Sequence, residues 1–413
     1  MDLSKPGAFG KQFKCACCNN PWNQSDLSPA TSTACRNNSK GFSGIDPDNF
    51  DTTVDLADNF YRWSNGGWMN RNTIPPEYSS WNTFMVLRDL NLDRLKAILD
   101  EASVAADPSD SEFAKVSSFY QTYMNETLIA EQGIRWLLPI LARCHANNDA
   151  TTLIADLHAK YNVRALFYIS STPDKKASTH SLGYFSQGGL GMPDRDYYFD
   201  ADKASKREKY LVYITELLTL LGKHGVAEYA NDVDCANAAK AVLAFETTLA
   251  GSHMTRTAAR DPEKTYNKMS INKLNELTNE VSWASYLTRG VTTAALDWKT
   301  YCRLIGKPVD TLGDVNVAHV AAVIKAAQLA SSPALSHYLC YYVANTFAPH
   351  LSPEFNDLHF AYHEKELKGT QEQRPRWKRS LDFVEYALGD ALGQKYVQKH
   401  FAGTNLIDFG VKV

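Results

Sequence analysis

The chain has 413 residues and a formal net charge of −3, from 43 Lys and Arg against 46 Asp and Glu. That length can bury a large core, in one large lobe or two subdomains. So even a charge balance argues against a nucleic-acid binder, which needs a basic stripe against phosphates. No run of about 18 uninterrupted apolar residues is present, so no membrane span is expected.

Residues 1–50 are rich in Ser, Asn, Gly, Pro and Asp and lack an apolar period, and they read as a flexible leader. Met1-Asp2-Leu3-Ser4-Lys5 has no apolar h-region, so no signal peptide is visible and a cytoplasmic, reducing compartment is the expectation. Of eight cysteines, Cys15, Cys17, Cys18 and Cys35 crowd the leader, while Cys144, Cys235, Cys302 and Cys340 are scattered. The C-x-C-C cluster lacks the second cysteine pair or nearby His pair that a zinc site uses.

Asn59 to Pro75 reads N-F-Y-R-W-S-N-G-G-W-M-N-R-N-T-I-P. Its aromatics Phe60, Tyr61, Trp63 and Trp68 are expected in a core, with Gly66-Gly67 making a tight turn. A helix follows, because Phe84, Arg88, Leu92, Leu95 and Leu99 share one face. Residues 112–124 and 134–144 read as further helices. Leu166–Ser171 and Leu182–Phe185 read as strands of a small hairpin. Helices are expected again over 206–221 and 232–249. A polar linker follows, then a segment at 266–277 and helices to the end. In the last helix Trp377, Leu381, Val384, Leu388 and Leu392 share a face, and Pro375 suits its start. The fold class is therefore mainly α: a multi-helix lobe with a small β-hairpin element.

More local patterns stand in order along this body. They are Phe84-Met85-Val86-Leu87-Arg88-Asp89, Gly189-Leu190-Gly191-Met192-Pro193-Asp194-Arg195-Asp196-Tyr197-Tyr198, Arg260-Asp261-Pro262 with Tyr266-Asn267-Lys268-Met269, and Pro375-Arg376-Trp377-Lys378-Arg379. With the aromatic motif, they resemble the N-terminal region of the neprilysin / endothelin-converting enzyme family of zinc metallopeptidases. The resemblance implies a neprilysin-like N-terminal domain at 51–400, which leaves the leader at 1–50 before it and a tail at 401–413 after it. It implies proteolysis of small peptides as the process and peptides as partners. It also implies zinc as the cofactor of full-length members, and a helical region that encloses the substrate cavity. Ser64 and Ser380 stand where secreted members carry cysteine, in keeping with the reducing compartment.

The chemistry of such an enzyme needs two His ligands one helical turn apart, a third ligand, and a Glu for the zinc-bound water. H-E-x-x-H occurs nowhere in the chain; the nearest approach is His363-Glu364-Lys365-Glu366-Leu367. His359 and His363 have i, i+4 spacing but match no ligand position of the family. No other catalytic segment of the family is found, so the expectation is no catalytic residue and no metal ligand here. The chain should be inactive alone, and a catalytic half or second chain is a possible partner. The resemblance assigns one substrate-binding residue, Arg88, as an anchor for a peptide carboxylate. A second family arginine falls on Ser80. Arg195-Asp196 is expected to be a structural ion pair. Two other readings stand beside this one, a non-enzymatic peptide-binding or protein-interaction module and a helical scaffold without ligand.

Overall fold

The computed structural model describes residues 46–104, 111–146, 149–278, 298–305 and 314–401. The cysteines of the leader and the tail beyond Phe401 lie outside these residues. The chain divides into two compact units, Met1–Asp89 and Leu90–Val413.

The helices are α1 (Phe60–Arg71), α2 (Thr83–Val104), α3 (Ser111–Met124), α4 (Glu126–Gln132), α5 (Leu138–Ala146) and α6 (Ala150–Tyr161). After strands β1 (Phe167–Asp174) and β2 (Ala177–Gln187) come α7 (Asp196–Phe199), α8 (Ala204–Lys223) and α9 (Asp232–Gly251). Strand β3 (Lys268–Ser270), α10 (271–278), α11 (Trp298–Leu304) and β4 (Asp314–Val317) follow. The chain continues through α12 (Val320–Leu329), α13 (Leu335–Phe347), α14 (Pro353–His359) and α15 (Arg376–His400). Side chains start several of these helices. Asn59, Asn125, Asp149 and Asn231 each accept a hydrogen bond from a first-turn amide, which satisfies a donor the helix itself cannot.

The aromatic motif departs from expectation. It is helical, and Gly66-Gly67 lie inside α1 rather than in a turn. The reason for glycine is close approach: a Cβ on Gly67 would stand 2.2 Å from the Asp48 carbonyl oxygen. Arg71 holds the same segment, bonding the Asp48 carbonyl and the Asn49 side chain. Trp63 stacks on Phe50 with ring centroids 4.7 Å apart. The motif is not core, since Phe60 is 65% and Tyr61 68% exposed.

In the second unit, Leu92, Leu95 and Leu99 of α2 close on Val116 and Tyr120 of α3 and on Leu381, Val384 and Leu392 of α15. These are the i, i+3/i+4 residues of each helix, so the expected stripes are those that pack. A larger core gathers α5, α6, α8, α9 and α13 around one face of the sheet. There Phe167 and Phe185 meet Trp298 and Tyr301 edge-on or tilted.

The expected hairpin is present, with Phe167 opposite Gln187 and Ile169 opposite Phe185. It belongs to a four-stranded sheet of order β1-β2-β4-β3, in which β4 pairs parallel with β2 and antiparallel with β3. Strands as short as β3 and β4 show too little alternation to be read from sequence.

Candidate functional site

The Gly189–Tyr198 segment is bound to the helical core through tyrosines. Gly189 has φ +77°, and its carbonyl accepts from the Tyr338 hydroxyl of α13 at 2.8 Å. That hydroxyl in turn accepts from the Leu166 amide at 2.9 Å. Two residues on, a Cβ at Gly191 would fall 1.8 Å from the Tyr210 hydroxyl of α8. The two glycines are therefore needed by backbone conformation and by close packing.

At the centre stands Glu246 of α9, fully buried. Its Oε2 accepts from the hydroxyls of Tyr198 (2.7 Å) and Tyr210 (2.8 Å), and Tyr210 meets Tyr341 at 2.8 Å. The Gly191 amide is close enough to favour the charged form but lies outside full hydrogen-bond geometry, which leaves Oε1 without a partner among the described residues. Burial dominates and pushes the carboxyl up to about 7, against the opposing pull of the two tyrosine hydroxyls. Sequence reading missed Glu246. The available signal was a Glu in register with Ala239, Val242 and Leu249 on an apolar helical face.

The Tyr266–Met269 block also has a structural reading. Asp174, at the end of β1, accepts from the Tyr266 hydroxyl (3.0 Å) and from Lys268 Nζ (3.3 Å). Asn267 bonds through its amide to the Asn316 side chain of β4 at 2.7 Å. Arg195 and Asp196 form the expected ion pair, at 3.3 Å.

His359 ends α14, and His363 lies in the following π-helical segment, Phe360–Glu366. Their rings stack at 4.4 Å between centroids. His363 Nε2 is taken by Asn345 Oδ1 at 2.9 Å. Burial lowers both imidazoles, His359 to about 4, so both are neutral at pH 7. Among the described residues no three His, Cys, Asp or Glu side chains are placed to hold a metal ion. The donor set here does not fit the family's zinc, which takes His nitrogens together with a carboxylate. Cys144, Cys235, Cys302 and Cys340 are buried free thiols.

Arg88 lies on α2 and is exposed, as is Phe84 at 83%. The stripe expected to run from Phe84 to Leu99 thus packs only from Leu92 onward. Ser80 is exposed, and its hydroxyl meets the Met85 sulfur at 3.7 Å. Around Arg88 in sequence, Ile74 is 57% and Leu87 55% exposed, a concentration of apolar surface in the first unit.

The comparisons with known proteins agree with these features. The N-terminal model of Peptidase family M13 matches residues 56–407. Endothelin-converting enzyme 1 of Rattus norvegicus is 26% identical over 363 residues, covering 85% of this chain and 45% of that protein. Membrane metallo-endopeptidase-like 1 of Homo sapiens is 26% identical, covering 86% of this chain and 46% of that protein. The chain thus spans less than half the length of these relatives. Among solved structures, the Mycobacterium tuberculosis zinc metalloprotease ZMP1 in complex with inhibitor superposes with a TM-score of 0.74 at 26% identity, covering 89% of this chain and 53% of that one. PepO from Lactobacillus rhamnosis shares the fold, with a TM-score of 0.65 at 16% identity. With the helical lobe, the small sheet and the Gly189–Tyr198 segment in place, the chain belongs to peptidase family M13.

Proposed function

We propose that this chain is the N-terminal, substrate-enclosing lobe of a neprilysin-like zinc endopeptidase, that it serves proteolysis of small peptides, and that it does not cleave peptides by itself. The observation that carries this reading is the donor set: H-E-x-x-H is absent from the sequence, and the described residues group no metal ligands. A catalytic zinc lowers the pKa of its bound water from about 15.7 to about 7 and so supplies hydroxide at neutral pH. Positioning alone does not replace that. The purified chain is expected to hold no stoichiometric zinc and to leave short peptides intact. Stoichiometric zinc together with chelator-sensitive peptidase activity would overturn the reading.

In this reading Arg88 anchors the carboxylate of a short peptide, and the apolar side chains at 60–87 meet a chain carrying the catalytic groups. A charge-assisted hydrogen bond contributes roughly 1.5–3 kcal/mol. Arg88→Ala should therefore weaken binding of peptides with free C-termini by about tenfold or more, with little change for C-terminally amidated ones. An equal effect on both peptide types would remove the carboxylate role.

The exposed apolar run also supports a second reading, a non-enzymatic peptide-binding or interaction module. Binding of the peptides in the absence of any zinc-bearing partner, with no gain in cleavage when such a partner is added, would favour that module.

A further inference from the structure

Two of the buried thiols of the second unit face each other across a pair of packed helices. Leu141, Cys144 and His145 lie at i, i+3 and i+4 on α5, so they share one face. That face packs on α13, which carries His337 and Cys340 one turn apart. The Cys340 sulfur reaches it at two points, 3.7 Å from the Leu141 carbonyl oxygen and 3.2 Å from His145 Nε2. Cys144 stands on the same turn as these two contacts and is fully buried, as is Cys340. The two thiols are close enough to share a hydrogen bond.

A disulfide spans Cα atoms within about 7 Å of each other. With its sulfur against the α5 backbone, Cys340 is within that reach of the turn that carries Cys144. The other two described thiols are placed elsewhere. Cys235 donates to the Tyr229 carbonyl at 3.3 Å, and Cys302 sits on α11, which packs on α6. Closing a Cys144–Cys340 bond also strands no polar group. His145 Nε2 loses the thiol but faces Glu228 Oε2 at 3.8 Å. The Tyr229 hydroxyl, which also meets the Cys340 thiol, keeps His337 Nδ1 at 3.2 Å. Burial pushes the Cys340 thiol up and holds it protonated and inert in the folded chain. The pair therefore meets an oxidant while α5 and α13 are still coming together.

We propose that Cys144 and Cys340 form a disulfide that joins α5 to α13 when the chain folds in the presence of a low-molecular-weight disulfide. One cysteine, as its thiolate, attacks that reagent and releases one small thiolate, leaving a mixed disulfide. The other cysteine attacks the protein sulfur of the mixed disulfide and displaces the second small thiolate. One S–S bond breaks and one forms. The two cysteines are oxidised, the reagent is reduced to two thiols, and the two cysteine protons leave on them. The bond closes a long loop and so restricts the unfolded chain. Under reducing conditions the pair stays a dithiol, as it is in this structure.

Refolding of the full chain from denaturant in a glutathione redox buffer and, in parallel, in excess reductant tests this. Remaining thiols are alkylated, and the digests are mapped by mass spectrometry without reduction. The oxidised sample is expected to give a linked peptide pair carrying Cys144 and Cys340, with Cys235 and Cys302 alkylated. Its Tm should exceed that of the reduced sample by about 5 °C or more. The double variant Cys144→Ala with Cys340→Ala should lose that difference, while the peptide map of the unaltered chain needs no variant. Full alkylation of Cys144 and Cys340 in the oxidised sample would overturn the proposal, and so would linkage spread evenly over the chain's cysteines. A Cys144–Cys340 bond that leaves Tm unchanged or lower would mean that the folded helices resist it, and would overturn the proposal equally.

Discussion

Glu246 is expected to make the protein less stable by about 3 kcal/mol as pH rises from 4.5 to about 7, and Glu246→Gln to remove that contribution. The folded-state carboxyl is raised to about 7 from a reference of 4.5. Between these values the folded state binds the proton more tightly than the unfolded state. Its stabilising effect is therefore complete below pH 4.5, declines as pH rises, and is lost above about 7. The buried imidazoles of His158, His253, His350 and His359 act in the opposite sense. Their folded values are pulled down to about 4, so each adds stability as pH rises through 4 to 6.5. The raw pH profile sums both effects, and the difference between wild type and the Gln variant isolates Glu246. A Gln side chain keeps an acceptor for Tyr198 and Tyr210 and adds no charge. Urea unfolding followed by circular dichroism from pH 4.5 to 8 measures the difference. Parallel profiles would show that the carboxyl is not proton-linked.

Gly189→Ala is expected to be among the most damaging single substitutions in the second unit, costing about 3 kcal/mol or more. The added Cβ would lie 2.4 Å from the Leu166 amide nitrogen and 2.5 Å from the Tyr338 hydroxyl, at φ +77°. Backbone must move, and the Tyr338 hydroxyl loses its place between Gly189 and Leu166. Gly225→Ala provides the control. It has φ +96° but nothing within 4 Å of the new Cβ. It carries only the conformational term, about 1 kcal/mol. Chemical denaturation of both variants separates the two contributions. Equal costs would mean that the close packing of the loop against α13 contributes nothing.

Both variants bear on how the family's short motifs should be understood. The Gly189–Tyr198 and Tyr266–Met269 blocks resemble known relatives in sequence, yet in space they are fasteners. The first holds a loop to Tyr338, Tyr210 and Glu246. The second holds β3 and the hairpin end through Asp174. Neither brings together groups that could activate a nucleophile. Both blocks thus act in holding the lobe together.

The helices with long periodic faces, such as Leu92–Leu99 and Leu381–Leu392, were legible in the amino-acid order, because burying one stripe of a helix leaves a mark every three or four residues. So were the family, from ordered local motifs, and the lack of an H-E-x-x-H ligand pair, which is a property of the letters alone. Tertiary structure decided the rest. It placed Gly66-Gly67 in a helix, where the Asp51 side chain crowds Gly66 and the Asp48 carbonyl crowds Gly67. It extended the hairpin to four strands by pairing segments more than a hundred residues apart, which no local period encodes. It left Phe84 and Arg88 outside the packed stripe, because period shows which residues share a face but not where along the helix a partner begins. It made Glu246 chemically distinctive and set Cys340 against the turn that carries Cys144. Burial and orphaned hydrogen-bond capacity are properties of surroundings, and those surroundings form only when distant segments meet.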